Sequence, residues 1–289
     1  MQRDNQLDRR TGVARACALA AILAATFMLL ALPGSAVAQL KPADSMAIWE
    51  ELKPVVFGDR PIVLGDGVVT VVAPKRAQEA GLVPIDIVLD PSKAKTAIKS
   101  FTMIIDVNPS PVAATFTIGE GAGVTRLSTR VRINDYSFVR VIAETAGGDL
   151  HMAETFVKAS GGCSAPAAKN PDEAKRTLGV MKLRQFPPQA EAAAGSAREL
   201  QLLVRHPNHS GLQMDQVTRY FIPAHFVREL NISQGGALVL KMEGGISISE
   251  DPNFRFDFKP RGGGEIAADA TDTEGQVFHD SWPLEAAGL

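Results

Sequence analysis

The chain is poor in cysteine and aromatics: two cysteines, two tryptophans and two tyrosines in 289 residues. It has no long run of one charge sign, and its formal net charge is only -2. So even a balance gives no electrostatic footprint for nucleic acid or an anionic membrane surface. Two cysteines exclude a disulfide scaffold and a cysteine-ligated zinc ribbon. No nucleophile elbow, Ser-His-Asp signature or paired-carboxylate motif stands out, and the chain reads as something other than an enzyme. What is present is an ordinary globular composition, 45% apolar and 21% charged, at a length that suggests two domains.

One long apolar stretch occurs, from Ala16 to Leu32, preceded by Arg9 and Arg10 and followed by Ala36, Val37 and Ala38. A basic start, an apolar middle and small residues at the -3 and -1 positions predict a signal peptide over residues 1–38, cleaved before Gln39. An uncleaved anchor is the alternative. Export by the Sec or the Tat route is left open, because the residues after the arginine pair fit a twin-arginine pattern poorly. Cleavage would remove four basic and two acidic residues and take the net charge from -2 to -4. It would also remove Cys17 and leave Cys163 alone, unable to form an internal disulfide. The expected destination is outside the cytoplasm, with no membrane attachment after cleavage.

Beyond the signal the pattern predicts an all-β chain of two immunoglobulin-like β-sandwich domains joined by a Gly/Pro/Ala-rich linker, with a short helix at the start. The helix is expected over Asp44 to Phe57, capped by Asp44 or Ser45. Short β-branched runs follow at Val68–Val72, Val83–Leu89, Phe101–Val107, Val112–Ile118, Thr125–Ile133, Phe138–Thr145 and Leu150–Ala159, separated by Gly, Pro, Asn and Asp turns. Gly119 to Gly123 is expected to close a hairpin. In the strand after it, Arg126, Ser128, Arg130 and Arg132 alternate with Leu127, Thr129, Val131 and Ile133, so the arginines are expected on a solvated face. Residues 39–159 form the first expected sandwich, 160–197 the linker with a short helix around Asp172–Thr177 capped by Asn170, and 198–289 the second sandwich. Phe254, Phe256 and Phe258 against Arg255 and Asp257 give the clearest alternation in the chain.

Cys163 sits in Ser160-Gly-Gly-Cys-Ser164, where Gly161 and Gly162 remove side-chain bulk and free the backbone. An exposed thiol at the tip of a loop is expected; four extended residues give it a reach of about 13 Å. No Lys or Arg adjoins it in sequence, so nothing signals an activated nucleophile, and a carrier thiol needs less activation than a catalytic one. His206 and His209, with His225, His151 or Cys163, are the possible metal ligands. Pro207 argues against a helix that would align the first pair, so they are expected to be ordinary turn and strand histidines. No metal and no other cofactor is expected.

Several stretches in order carry a resemblance. Val107-Asn-Pro-Ser-Pro111, Ser128-Thr-Arg-Val-Arg-Ile133 and Thr155-Phe-Val-Lys-Ala-Ser-Gly-Gly-Cys163 resemble SoxY. Arg205-His-Pro207 with Gly211, Ile222-Pro-Ala-His-Phe226, Ser249-Glu-Asp-Pro-Asn-Phe-Arg-Phe256 and Asp272-Thr-Glu-Gly275 resemble SoxZ. The chain thus resembles a fusion of the two halves of the SoxYZ sulfur carrier. The resemblance implies two sandwiches that associate within one polypeptide. It also implies that Cys163 is the carrier cysteine, holding sulfur-oxidation intermediates for periplasmic sulfur-oxidising enzymes. The family arm ends soon after a Gly-Gly-Cys-Gly-Gly tip, whereas here Ser164, Ala165 and Pro166 follow and the chain runs on, so the arm is tethered at both ends. The fused arrangement is also similar to SoxYZ-like carriers associated with quinoprotein dehydrogenases. That implies a second possibility, an accessory protein of a periplasmic PQQ-dependent dehydrogenase in which the cysteine is secondary.

Overall fold

The computed structural model describes residues 39–166, 171–187 and 197–285, all but the first lying in one unit that runs from Leu40. The expected signal peptide, Cys17 and Asn170 lie outside the described residues. Helix α1 spans Pro42–Phe57. Fifteen strands follow among the described residues: β1 Ile62–Leu64, β2 Val69–Val72, β3 Val83–Leu89, β4 Ile98–Ile105, β5 Val112–Ile118, β6 Arg126–Val131, β7 Ser137–Thr145, β8 Leu150–Val157, β9 Met181–Phe186, β10 Arg198–Val204, β11 Val227–Gln234, β12 Ala237–Gly244, β13 Asn253–Phe258, β14 Glu265–Asp272 and β15 Val277–Pro283. A second helix, α2, covers Pro171–Arg176.

Alternation is what makes these strands. In β3, Val83, Ile85, Ile87 and Leu89 are buried and the residues between them exposed; in β13, Phe254, Phe256 and Phe258 are buried. One face of each strand is therefore driven into the core at about 2–3 kcal/mol per large side chain. The strands form two sheets. The larger runs β1-β8-β7-β4-β5-β12-β11-β14-β15 and the smaller β2-β3-β6-β13-β10-β9. Each half of the chain contributes to both layers, as two immunoglobulin-like β-sandwiches do.

The halves are joined edge to edge in both layers. Strand β5 pairs antiparallel with β12, from Ile118 opposite Leu240 to Ala114 opposite Gly244. Strand β6 pairs with β13 through Leu127–Phe256 and Ser128–Arg255. One hydrophobic core runs beneath both seams, with Phe101 stacked on Phe116 at 4.9 Å and Phe116 edge-on to Phe254 at 6.0 Å. Pairing the edges removes unpaired backbone donors and acceptors that each half would otherwise expose.

Three expectations need correction. Helix α1 begins at Pro42, whose missing N–H suits a first turn, and the capping group is not the residue before it. Asp44 reaches back from inside the helix to accept the Lys41 N–H at 2.7 Å, while buried Ser45 donates to Asp106 at 2.8 Å. Gly119 to Gly123 is no hairpin: β5 and β6 lie in different sheets, and the loop crosses between them. Gly119 lies so close to the second half that a Cβ there would stand 1.8 Å from the Leu238 carbonyl oxygen. The arginine row is not uniformly solvated either. Arg126 is exposed, but Arg132, just past the end of β6, is 2% exposed because the chain dives there under the loop that carries Cys163.

Candidate functional site at the junction of the two halves

After β8 the chain turns at Gly161, whose φ of +75° is in the left-handed region that glycine adopts at little cost. The Gly161 N–H donates to the Asn134 carbonyl at 2.7 Å and the Gly162 N–H to the Ile133 carbonyl at 3.0 Å. Ser164 closes the turn, its N–H and its Oγ both donating to the Gly161 carbonyl at 3.2 Å. A Cβ at Gly162 would stand 2.2 Å from the Ala80 carbonyl oxygen and 2.5 Å from that of Ile133. The second glycine is therefore required by close backbone approach, not by looseness.

This docking overturns the expectation of an exposed tip. Cys163 is 0% exposed. Burial pushes its thiol up to about 11, against the pull of the nearby Arg132 charge, so the docked sulfur is protonated at neutral pH. Arg132 is itself buried and its guanidinium is shifted down by desolvation, a shift that the Glu250 carboxylate opposes. Beside the loop an open cavity of about 280 Å³ is lined by Gly81, Arg132, Gly161, Ala165 and Glu250.

Both halves build the seat. From the first, buried Asn108 donates to the Arg132 carbonyl at 2.7 Å and to Ser247 Oγ at 2.8 Å, and accepts the Asn134 N–H at 2.8 Å. It braces the segment on which Gly161 and Gly162 rest and ties it to the second half. From the second half, Ser249 Oγ donates to the Gly81 carbonyl at 2.7 Å. Ser210 Oγ donates to the Cys163 carbonyl, and Gln213 Nε2 donates to that of Ala165 at 2.8 Å. Ser210 and Gln213 escape a reading of the sequence, since neither carries chemistry of its own.

The histidines part company. His206 and His225 meet with ring centroids 4.5 Å apart, and Asp272, which the sequence does not single out, completes the group. His225 Nε2 lies 2.7 Å from Asp272 Oδ2, and His206 Nε2 lies 3.6 Å from the same oxygen. The Asn208 N–H donates to His206 Nδ1 at 3.0 Å, so the neutral ring carries its proton on Nε2, the nitrogen that faces Asp272. The His225–Asp272 hydrogen bond ties the start of β11 to the end of β14, while His206 Nε2 is buried beside them without a hydrogen-bond partner among the described residues. Burial, with His225 adding to it, pushes His206 down to about 4, which keeps the ring neutral. His209 turns instead to Gln213 Oε1 at 3.0 Å, and His151 pairs with Asp66 in the first half.

Beyond the arm, the segment expected to be a linker supplies α2 and strand β9, which pairs with β10 from Phe186 opposite Glu199 to Met181 opposite Val204. The Gly179 N–H donates to the Arg205 carbonyl at 2.8 Å. The chain is thus held on both sides of Cys163.

The comparisons agree with this division. The family model for the sulfur oxidation protein SoxY matches residues 53–163 and ends on the cysteine, and that for the sulphur oxidation protein SoxZ matches residues 184–283. Among solved structures, the chain is similar to the sulfur carrier protein SoxY from Chlorobium limicola f thiosulfatophilum at 20% identity, with 40% of this chain and 96% of that one covered and a TM-score of 0.33. A putative membrane anchored protein from Corynebacterium diphtheriae is similar at 9% identity, over 75% of this chain and 57% of that one, with a TM-score of 0.25. No curated protein matches the chain. With a SoxY domain followed by a SoxZ domain in tandem on one polypeptide, the chain belongs to the SoxYZ family as a fused member.

Proposed function

We propose that the protein is a periplasmic covalent carrier in which Cys163 bears a sulfur-linked intermediate and presents it to partner enzymes of sulfur-compound oxidation. One observation carries this reading: Cys163 is the last residue of the SoxY match and rides on a loop fastened at its tip mainly by hydrogen bonds to its backbone. Such a fastening opens without breaking a strand ladder. The docked thiol is protonated and enclosed, so loading and unloading belong to an undocked state. In that state the thiolate forms on exposure and the loop extends about 13 Å from Ser160. Residues 1–38, acting as an export signal, would bring the carrier to the periplasm.

A second reading rests on the tether beyond the cysteine, where β9 fixes the chain to the SoxZ half. A looped arm presents a wider profile than a free end. That favours a different client, a PQQ-dependent quinoprotein dehydrogenase that the protein would serve as an accessory. Cys163→Ser separates the two. The carrier reading expects loss of sulfur-compound oxidation in the host from a protein that still unfolds cooperatively in urea. Full function of the Cys163→Ser protein, with a dehydrogenase co-purifying, would support the accessory reading and refute the carrier.

A further inference from the structure

The loop is fastened from two sides by different means. On the SoxY half, the N–H groups of Gly161 and Gly162 donate to backbone carbonyls. On the SoxZ half, two side chains reach the loop: Ser210 Oγ donates to the Cys163 carbonyl and Gln213 Nε2 to the Ala165 carbonyl at 2.8 Å. Both are almost wholly buried, at 3% and 1% exposure. Their other hydrogen bonds aim them at the loop. Gln213 Oε1 accepts from His209 Nδ1 at 3.0 Å and from the Ser210 N–H at 3.3 Å, which fixes the amide with its NH₂ toward Ala165. Ser210 Oγ accepts the Leu212 N–H at 3.2 Å, leaving the hydroxyl proton for Cys163.

Resting on the carrier reading, we infer that Ser210 and Gln213 are positioning residues, a latch supplied by the SoxZ half that holds the loop docked and sets how often Cys163 is available for chemistry. Both bonds end on main-chain carbonyls, those of Cys163 and Ala165, rather than on the sulfur itself. The latch therefore grips the loop by groups that are the same whatever Cys163 carries. Through it, side chains of the SoxZ half regulate a cysteine that belongs to the SoxY half. Cys163 reacts only from the opened loop, so its observed rate is the opening equilibrium multiplied by the rate of an exposed thiol. One net hydrogen bond corresponds to about a five- to tenfold change in that equilibrium.

The test is alkylation of the full-length protein by iodoacetamide at pH 8 under native conditions. The rate is read at Cys163 by peptide mass, which separates it from Cys17. Ser210→Ala should raise the rate about five- to tenfold, and Gln213→Glu, whose buried carboxylate has no proton for the Ala165 carbonyl it faces, by at least as much. The double variant should multiply the two effects, and Ser210→Thr, which keeps the hydroxyl, should return the rate toward wild type. Amide hydrogen exchange should quicken over residues 160–166 and stay unchanged in β10 and β13. Unchanged alkylation rates would overturn the latch. So would faster exchange throughout the SoxZ half, which would mean that the substitutions loosen the fold instead. The carrier reading fails on a separate measurement, the lack of any native adduct on Cys163, so the two failures are distinguishable.

Discussion

Gly162→Ala is the sharpest perturbation of the docked state. The added Cβ would fall 2.2 Å and 2.5 Å from two backbone carbonyl oxygens, and backbone has no rotamer with which to retreat. The loop must leave its seat and take Cys163 with it. In the seat the thiol is raised from 9.0 to about 11, so at pH 8 about one sulfur in a thousand is thiolate. Released, about one in ten is, a roughly hundredfold gain before steric shielding is counted. The same shift predicts a pH dependence. The raised value favours the protonated, docked form, so docking is most stable below about pH 9. It weakens as pH rises toward 11, by about 3 kcal/mol in all. Site-resolved alkylation of wild type and variant between pH 7 and 11 measures both effects. Gly161→Ala serves as the control. Its nearest neighbour is Ser164 Oγ at 3.8 Å, so it meets only the strain of a positive φ, about 1 kcal/mol. A Gly162→Ala protein whose Cys163 reacts no faster than wild type would refute the docked geometry.

Three further outcomes follow from the same structure. Asn108→Ala should destabilise the fold by about 3 kcal/mol in urea unfolding, since it strips three hydrogen bonds from a buried bridge between the halves. Asp106→Asn should cost about 1–3 kcal/mol by the same assay, because Arg140 keeps its second carboxylate partner, Glu154. The substitution removes the carboxylate that accepts from Arg140 Nε at 2.9 Å, where both side chains are fully buried. The third concerns pH. His206 has its pKa lowered in the fold to about 4, so it favours the native state above its unfolded value of 6.5. That contribution, about 3 kcal/mol in all, is lost as pH falls from 6.5 to 4. His206→Gln should flatten the stability profile across that window.

Much of the fold is legible in the sequence because alternation leaves a strong trace. The Phe254, Phe256, Phe258 strand and the Val83–Leu89 strand stand where their patterns put them. The hairpin turning at Gly147-Gly148-Asp149 likewise joins β7 to β8. What the sequence hides is of other kinds. Strand β14, Glu265–Asp272, buries Ile266, Ala268 and Ala270, and alanine signals a strand weakly. Strand β9, Met181–Phe186, sits among prolines and alanines that mark a linker. The sheets that cross both halves depend on edge pairing between segments more than 100 residues apart, which no local pattern announces. Cys163 stands out in the sequence as the chain's notable thiol, but its surroundings do not. Small neighbours suggest exposure, yet here they allow close approach, and the polar seat comes from Asn108, Arg132, Ser210 and Gln213, distant in sequence.

A carrier thiol must bear cargo in the working cell. The most direct measurement is the mass of the Cys163 peptide in protein isolated, without reductant, from its native host during active sulfur-compound oxidation. Added mass is expected on Cys163, removable by a thiol reductant and missing from the same preparation of the Cys163→Ser protein. A uniformly unmodified Cys163 under those conditions would contradict it.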